Sequence, residues 1–177
     1  MATSSAADVW ETIAGEAARE SPLWADALAA DAETEPVFSP LGEPRFALGV
    51  ETMYEGYLVH YGRPRLFAPR DADTALLLGD YLYAHGLVRI AAEGSVDAVG
   101  DLAELLSLCA QLRADARPGD GAAWAATAAL LGSGALEPAR TALRLDGDEA
   151  QLDTLARESA GDAAVERALA THRKRLG

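Results

Sequence analysis

The chain has 177 residues, a length that suits one domain with a substantial hydrophobic core. Its net charge of −13 at pH 7 excludes a general nucleic-acid-binding protein, because phosphate binding draws its affinity from a basic surface. The single cysteine, Cys109, excludes a disulfide scaffold and a cysteine metal site, and we interpret it as a small core residue.

The composition predicts an all-α fold. Alanine, the strongest helix former, supplies 39 residues, whereas only 6% of the residues are aromatic. Residues 1–6 are predicted to form a flexible tail and residues 7–177 a single domain. The N-terminus lacks the basic start and apolar segment of a secretion signal. Residues 75–92 are apolar enough to suggest a membrane span, but Asp80 and Arg89 interrupt them. We therefore expect a cytoplasmic protein with no transmembrane segment.

Periodicity and capping residues predict seven or eight helices. The first runs from Ala7 to Arg19, and the second follows Ser21, with Pro22 at a position where its missing N–H is harmless. The three prolines of EPVFSPLGEPR then predict a loop. Further helices are predicted over residues 46–61, 71–92, 96–116 and 122–131, with one or two more over 148–175.

The helix predicted over residues 71–92 contains the unusual stretch LLLGDYLYAHGL, in which an acid follows a glycine inside an apolar run. Because this helix is apolar nearly all round, we expect it at the centre of the bundle. Asp80 is then expected to be buried and paired, since an isolated buried charge is unfavourable. Gly79 is expected to lie at a close helix contact that offsets its low helix propensity.

The segment ALLLGDYLYAHGLVRIA, residues 75–91, resembles a helix of the trans-isoprenyl diphosphate synthase (polyprenyl synthetase) family that reads roughly L-L-G-D-x-L-x-A. In that family the helix follows an Asp-rich helix and an R-R-G-x-P loop. Here ETMYEGYLVHYGRPRLF stands in that place, with Gly62 and Pro64 on the loop's glycine and proline. The resemblance covers residues 48–92, continues through DLAELLSLCAQ, and implies a truncated isoprenoid-synthase-like bundle.

The resemblance also implies a metal site, in altered form. Glu51 and Glu55 stand at the first and last positions of the family's D-D-x-x-D motif, which implies a weak Mg²⁺ site. A solvated acidic stripe is the alternative. His60 and Tyr61 replace the arginine pair, Ala126 replaces the lysine of the family's K-T-A-x-L helix, and no second Asp-rich motif is identifiable.

The loop after the first of these helices is basic. Arg63, Arg65 and Arg70 are candidates for a relocated diphosphate site, with a solvated loop as the alternative. No catalytic residue is assigned, because no serine, histidine and acid form a recognisable triad. Four residues are expected to be structural or to line a product tunnel: Tyr54, Gly79, Asp80 and Tyr83.

The lost phosphate donors imply a non-catalytic or regulatory subunit of a heteromeric prenyl diphosphate synthase in isoprenoid biosynthesis. The expected partner is a full-length synthase subunit or a second copy of this chain, and the expected ligand is a prenyl diphosphate. The predicted interface consists of Tyr81, Leu82, Leu105 and Leu108. Two alternatives stay open: a stand-alone Mg²⁺-dependent prenyltransferase that uses Glu51 and Glu55, and an unrelated helical interaction module.

Overall fold

A computed structural model describes the backbone of residues 6–177 and the side chains from Val9 onward. It confirms the all-α fold. The predicted tail lies outside the described residues except for Ala6, at which the first helix begins. The described range contains nine α-helices: α1 (Ala6–Glu20), α2 (Pro22–Asp26), α3 (Ala47–Tyr61), α4 (Ala72–Ala92), α5 (Val96–Ala114), α6 (Asp120–Ala129), α7 (Glu137–Asp146), α8 (Ala150–Ala160) and α9 (Asp162–Leu176).

Helix α2 begins as predicted but ends early. The Ser21 hydroxyl caps it by accepting a hydrogen bond from the backbone N–H of Leu23, and the helix stops at Asp26. The chain then extends because the backbone of Ala27 and Ala29 pairs with residues 66–68, at N–O distances of 2.7 and 2.8 Å. A long-range backbone pairing therefore ends a helix whose local sequence would have continued.

Helix α7 was missed by sequence analysis. It starts with Pro138 in its first turn and ends at Gly147, whose φ of +75° gives a left-handed C-cap. Its Arg140 side chain is buried and donates to Asp101 of α5 at 2.8 Å and to Thr127 of α6 at 3.2 Å. Pro138 and Gly147 could have indicated the start and the end of this helix from the sequence. The Arg140–Asp101 ion pair holds the short helix against α5.

Helix α3, rather than α4, occupies the centre of the bundle. Every residue from Gly49 to Val59 is buried. Helix α4 packs one side on α3, but its opposite side is open, and Leu76 and Val88 there are 55% and 66% exposed. The prediction of a central α4 is therefore wrong, because apolar residues all round a helix do not guarantee that other elements cover it.

Helices α3 and α4 approach closely through glycines. A Cβ added at Gly79 would lie 2.4 Å from the His60 ring, and one at Gly86 would lie 2.1 Å from Met53 Cγ. Gly49 of α3 is equally tight against α4. These distances are shorter than side-chain contacts allow, so larger residues would push the helices apart. The expected close contact at Gly79 is confirmed.

The interior of the bundle has two parts. The larger core joins the inner side of α3 to helices α5–α9 around Trp124, and it contains the buried Cys109. Burial raises the pKa of the Cys109 thiol, as expected for a core residue. The smaller core lies between α1, α2, α4 and the other side of α3, around Trp10 and Trp24. The two cores lie on opposite sides of the central helix α3, which contributes residues to both.

Helix α4 contains residues 75–92, the stretch whose apolar character suggests a membrane span. It has 21 residues but carries Asp80 and Arg89 near its middle and its end. Among residues 6–177, no helix combines the length and the apolar character needed to cross a membrane.

Candidate functional site

The two glutamates predicted as metal ligands form a buried ion pair cluster with Arg65. Arg65 donates from Nη1 to Glu51 at 2.6 Å and from Nε to Glu55 at 2.9 Å. All three side chains are essentially inaccessible to solvent. The arginine comes from the loop after α3, so this loop folds back against the helix that precedes it. The guanidinium also lies over the rings of Trp10 and Tyr54.

Backbone N–H groups take up the remaining capacity of the two carboxylates. Glu51 accepts hydrogen bonds from the N–H groups of Val37 and Ser39, at 3.1 and 3.0 Å. Glu55 accepts from the N–H groups of residues 65 and 66, at 2.8 and 2.7 Å. The two glutamates thus tie the loop before α3 and the loop after it to the helix.

This geometry does not fit a Mg²⁺ site at Glu51 and Glu55. Each of the four carboxylate oxygens already accepts at least one hydrogen bond, and none faces an open space that a hydrated cation could enter. Burial disfavours the charge of Arg65, but the two adjacent carboxylates outweigh it and raise the pKa of Arg65. The acidic-stripe alternative is also wrong, because neither side chain is solvated. The partner that these two glutamates have in the structure is Arg65.

The other two basic residues of the predicted diphosphate site point elsewhere. The backbone N–H of Arg63 donates to the carbonyl of Arg175 at 2.9 Å, and its guanidinium donates to the carbonyl of Lys174, so it closes the end of α9. Arg70 is exposed and lines a shallow cavity of about 150 Å³ with Asp26. The three arginines therefore have separate neighbours and do not converge on one ligand.

The acid of the glycine-acid pair on α4 is on the surface. The Asp80 side chain is 66% exposed, so its predicted burial is wrong. It lies 3.2 Å from His60 Nε2 without the alignment of a hydrogen bond. Burial lowers the pKa of His60 although Asp80 opposes this, so the ring is uncharged at neutral pH.

The two tyrosines predicted to be structural are packed against neighbouring rings. Tyr54 is fully buried, and its ring meets Phe38 edge-on with centroids 4.9 Å apart. Tyr83 is half-buried and packs on the His60 ring at 5.0 Å. Burial raises the pKa of both phenols, so they remain protonated donors. These contacts fit the structural half of the prediction.

The predicted interface residues are mostly inside the protein. Leu82 belongs to the smaller core, and Leu105 and Leu108 belong to the larger one, all with at most 1% exposure. They cannot reach a partner without unfolding, so this placement is wrong for the three leucines. Tyr81 is half-buried against Trp24, with ring centroids 5.6 Å apart.

Sequence analysis also missed a polar network that joins α3, α5, α6 and α9. Asp120, the first residue of α6, accepts hydrogen bonds from the Tyr57 hydroxyl at 2.5 Å and from the Arg113 guanidinium. His172 of α9 places Nε2 3.2 Å from the same carboxylate and Nδ1 2.9 Å from the Tyr54 hydroxyl. These residues are up to 118 positions apart, so no spacing in the sequence could reveal the network.

The Asp120 carboxylate is the charged centre of this network. The Tyr54 hydroxyl and His172 Nδ1 share one hydrogen bond, and the opposite ring nitrogen, Nε2, faces Asp120. Burial opposes the charge of Asp120, but hydrogen bonds from His172 and Tyr57 and the Arg113 charge hold the pKa of Asp120 below its usual value.

An imidazole between a carboxylate and a phenol resembles an acid–base relay. In this protein, however, both ring nitrogens are engaged, and the ring packs against Phe38 and Tyr57. Three contacts converge on Asp120 Oδ2, and the His172 side chain is almost fully buried. We therefore assign it the structural role of fastening α9 to the centre of the bundle.

One side of α4 exposes several apolar side chains to solvent. We call it the outer face of α4 and define it by its exposed residues: Asp73, Leu76, Leu77, Asp80, Ala84, Val88 and Ala91. Apart from the adjacent pair Leu76 and Leu77, successive members are three or four residues apart, so they share one side of the helix. Five of the seven are apolar, and both polar members are acidic.

No family model matches this chain, and neither a curated protein nor a solved structure matches it.

Proposed function

We propose that this protein is a non-catalytic helical subunit that acts by binding a full-length prenyl diphosphate synthase. One observation supports the proposal: Arg65 occupies the carboxylates that correspond, in the resemblance, to the metal-binding positions of the synthase family. A chain with this arrangement keeps the helix pair of the resembling family but uses its acids internally. The active partner would then supply the metal and diphosphate sites.

The α3–α4 pair gives further support. The resemblance lies on these two helices, and the glycines of the GD stretch sit at the crossing between them. The family-like residues thus have a packing function in this chain that does not depend on catalysis. A stand-alone prenyltransferase would have to break a buried ion pair to bind Mg²⁺, and breaking such pairs costs about 3–5 kcal/mol.

A second candidate is a helical interaction module unrelated to the synthases. The observation in its favour is the outer face of α4, which offers an apolar surface whatever the partner. Both candidates are binding proteins, and they differ in the identity of the partner.

The test is an assay of chain elongation with radiolabelled isopentenyl diphosphate, an allylic diphosphate and excess Mg²⁺. The protein alone should give no product, and the synthase of the same cell should change its rate or its product length when the protein is added. Turnover by the protein alone near 1 s⁻¹, in the range of ordinary enzymes, would contradict the proposal. An unchanged synthase would favour the unrelated module.

A further inference from the structure

We propose that the outer face of α4 binds an amphipathic helix of a different protein, and that this helix places an arginine or lysine against Asp80. The inference rests on the proposed function only in requiring a partner, and it does not require that the partner be a synthase.

Helix α4 exposes apolar side chains that do not contribute to the core. Leu76, Leu77 and Val88 are 55%, 56% and 66% exposed, although the same helix buries Leu78 and Leu82 completely on its inner side. Single exposed apolar residues are ordinary, but an aligned set on one helix marks an interaction site. The packing of α4 on α3 is complete without them.

The outer face of α4 is long enough to contact a whole helix. From Asp73 to Ala91 the outer face extends about 27 Å at 1.5 Å per residue, which is five helical turns. Further exposed apolar side chains lie beyond both ends of α4: Leu23, which shares a cavity with Thr74, and Val96 at the start of α5. A straight apolar strip of this length suits a helix of similar length as its partner.

The charge of the outer face is negative. The outer face carries Asp73 and Asp80 and no basic residue, and the positions just past its end add Glu93 and Asp97. Arg89, also on α4, points to another side, where it pairs with Glu16 at 2.6 Å. A partner helix must therefore meet an apolar strip with unbalanced negative charge, and basic residues on the partner would complement it.

The same charges disfavour a second copy of this chain. Asp80 lies two residues from the midpoint of the outer face, so a two-fold pairing of α4 with itself would bring both Asp80 carboxylates within about 6 Å along the helix axis. Like charges at this distance repel when an interface removes water. The uncharged His60 cannot neutralise them. Of the two expected partners, a different protein is therefore favoured over a second copy of this chain.

The experiment uses the full chain and two fluorescein-labelled, stapled 18-residue peptides with the same leucine and alanine strip. One peptide has arginine at the centre of the strip and the other has glutamate. Fluorescence anisotropy should show the arginine peptide binding at least about tenfold more tightly. Asp80→Asn should remove most of this difference, and Asp80→Arg should reverse it.

Two further variants control for folding and for nonspecific apolar binding. Leu77→Glu should abolish binding of both peptides, whereas Leu145→Glu, at a still more exposed leucine of α7, should leave binding unchanged. Equal affinity for the two peptides, binding of neither, or a sedimenting dimer that Leu77→Glu dissociates would each overturn the inference. An unresponsive synthase together with selective peptide binding would reject the proposed function and keep this inference.

Discussion

Helices α3 and α4 look alike in sequence, since both are apolar segments that carry glycines and acidic residues, yet they have opposite roles. The acids of α3, Glu51 and Glu55, are buried because Arg65 and four backbone N–H groups satisfy them. The acid of α4, Asp80, has no such set of donors and lies on the surface. Whether an acid in an apolar helix is buried therefore depends on partners that are distant in the sequence.

Removing the partner of the α3 acids should have the largest effect. Arg65→Met leaves two carboxylates buried beside one another without their counter-charge, and the free energy of unfolding should fall by about 3–5 kcal/mol. Urea denaturation would measure it. The matched control is Arg70→Met on the same loop, where an exposed arginine should change stability by less than about 0.5 kcal/mol. Equal losses for the two variants would mean that α3 is not held as described.

The network around Asp120 tests whether α3 is also fixed from its other side. Asp120→Asn removes charged hydrogen bonds to Tyr57, Arg113 and His172, so stability at pH 7 should fall by about 1.5–3 kcal/mol. Asp31→Asn in an exposed loop is the control.

The same variant should have a weaker acid dependence. The pKa of Asp120 is lower in the folded protein than its usual value of 3.8, so its ionised form stabilises the fold above about pH 4. This contribution is lost as the pH falls through the folded pKa. Stability measured across roughly pH 5 to 2 should therefore drop more steeply in the wild type than in Asp120→Asn. Parallel curves would argue against an ionised, hydrogen-bonded Asp120.

The contact between α3 and α4 can be tested at a glycine. Gly79→Leu should overpack the crossing at His60 and lower stability by about 1–3 kcal/mol, seen as a lower melting temperature. Gly100→Ala provides a contrast, because a Cβ there meets nothing within 4 Å on the surface of α5. That variant should gain about 0.4–1 kcal/mol through helix propensity. An unchanged Gly79→Leu protein would mean that the two helices are further apart.

The smallest effect is expected on the outer face of α4. Leu77→Ala should change stability by no more than about 0.5 kcal/mol, since its side chain is 56% exposed and contributes little to the core. The neighbouring Leu78→Ala, at a fully buried position, should cost about 2–5 kcal/mol. Chemical denaturation of both variants would compare the two sides of one helix. Similar losses would show that the outer side is covered within the monomer.

The sequence was sufficient for the features that depend on neighbouring residues. Alanine content and apolar periodicity predicted the helices, Ser21 and Pro22 predicted the start of α2, and the glycine at position 79 predicted a close crossing. It was also sufficient to single out Glu51 and Glu55 as unusual residues.

The remaining features depend on contacts between distant parts of the chain. The end of α2 is set by pairing with residues 66–68, and the Asp120 network joins three helices to α9. The exposure of Asp80 depends on whether another element covers α4, and the helical period of its own residues carries no information on this. Single-sequence patterns describe local preference, so they could not supply these pairings.

A double-mutant cycle on Glu55 and Arg65 tests the central claim, that the carboxylates of α3 are committed to an internal arginine, most directly. The free energy of unfolding would be measured for the wild type, Glu55→Gln, Arg65→Met and the double variant. We predict a favourable coupling of about 1–3 kcal/mol, because the two side chains share a buried ion pair at 2.9 Å. A coupling near zero, with wild-type stability that rises on adding Mg²⁺ and an allylic diphosphate, would contradict the account.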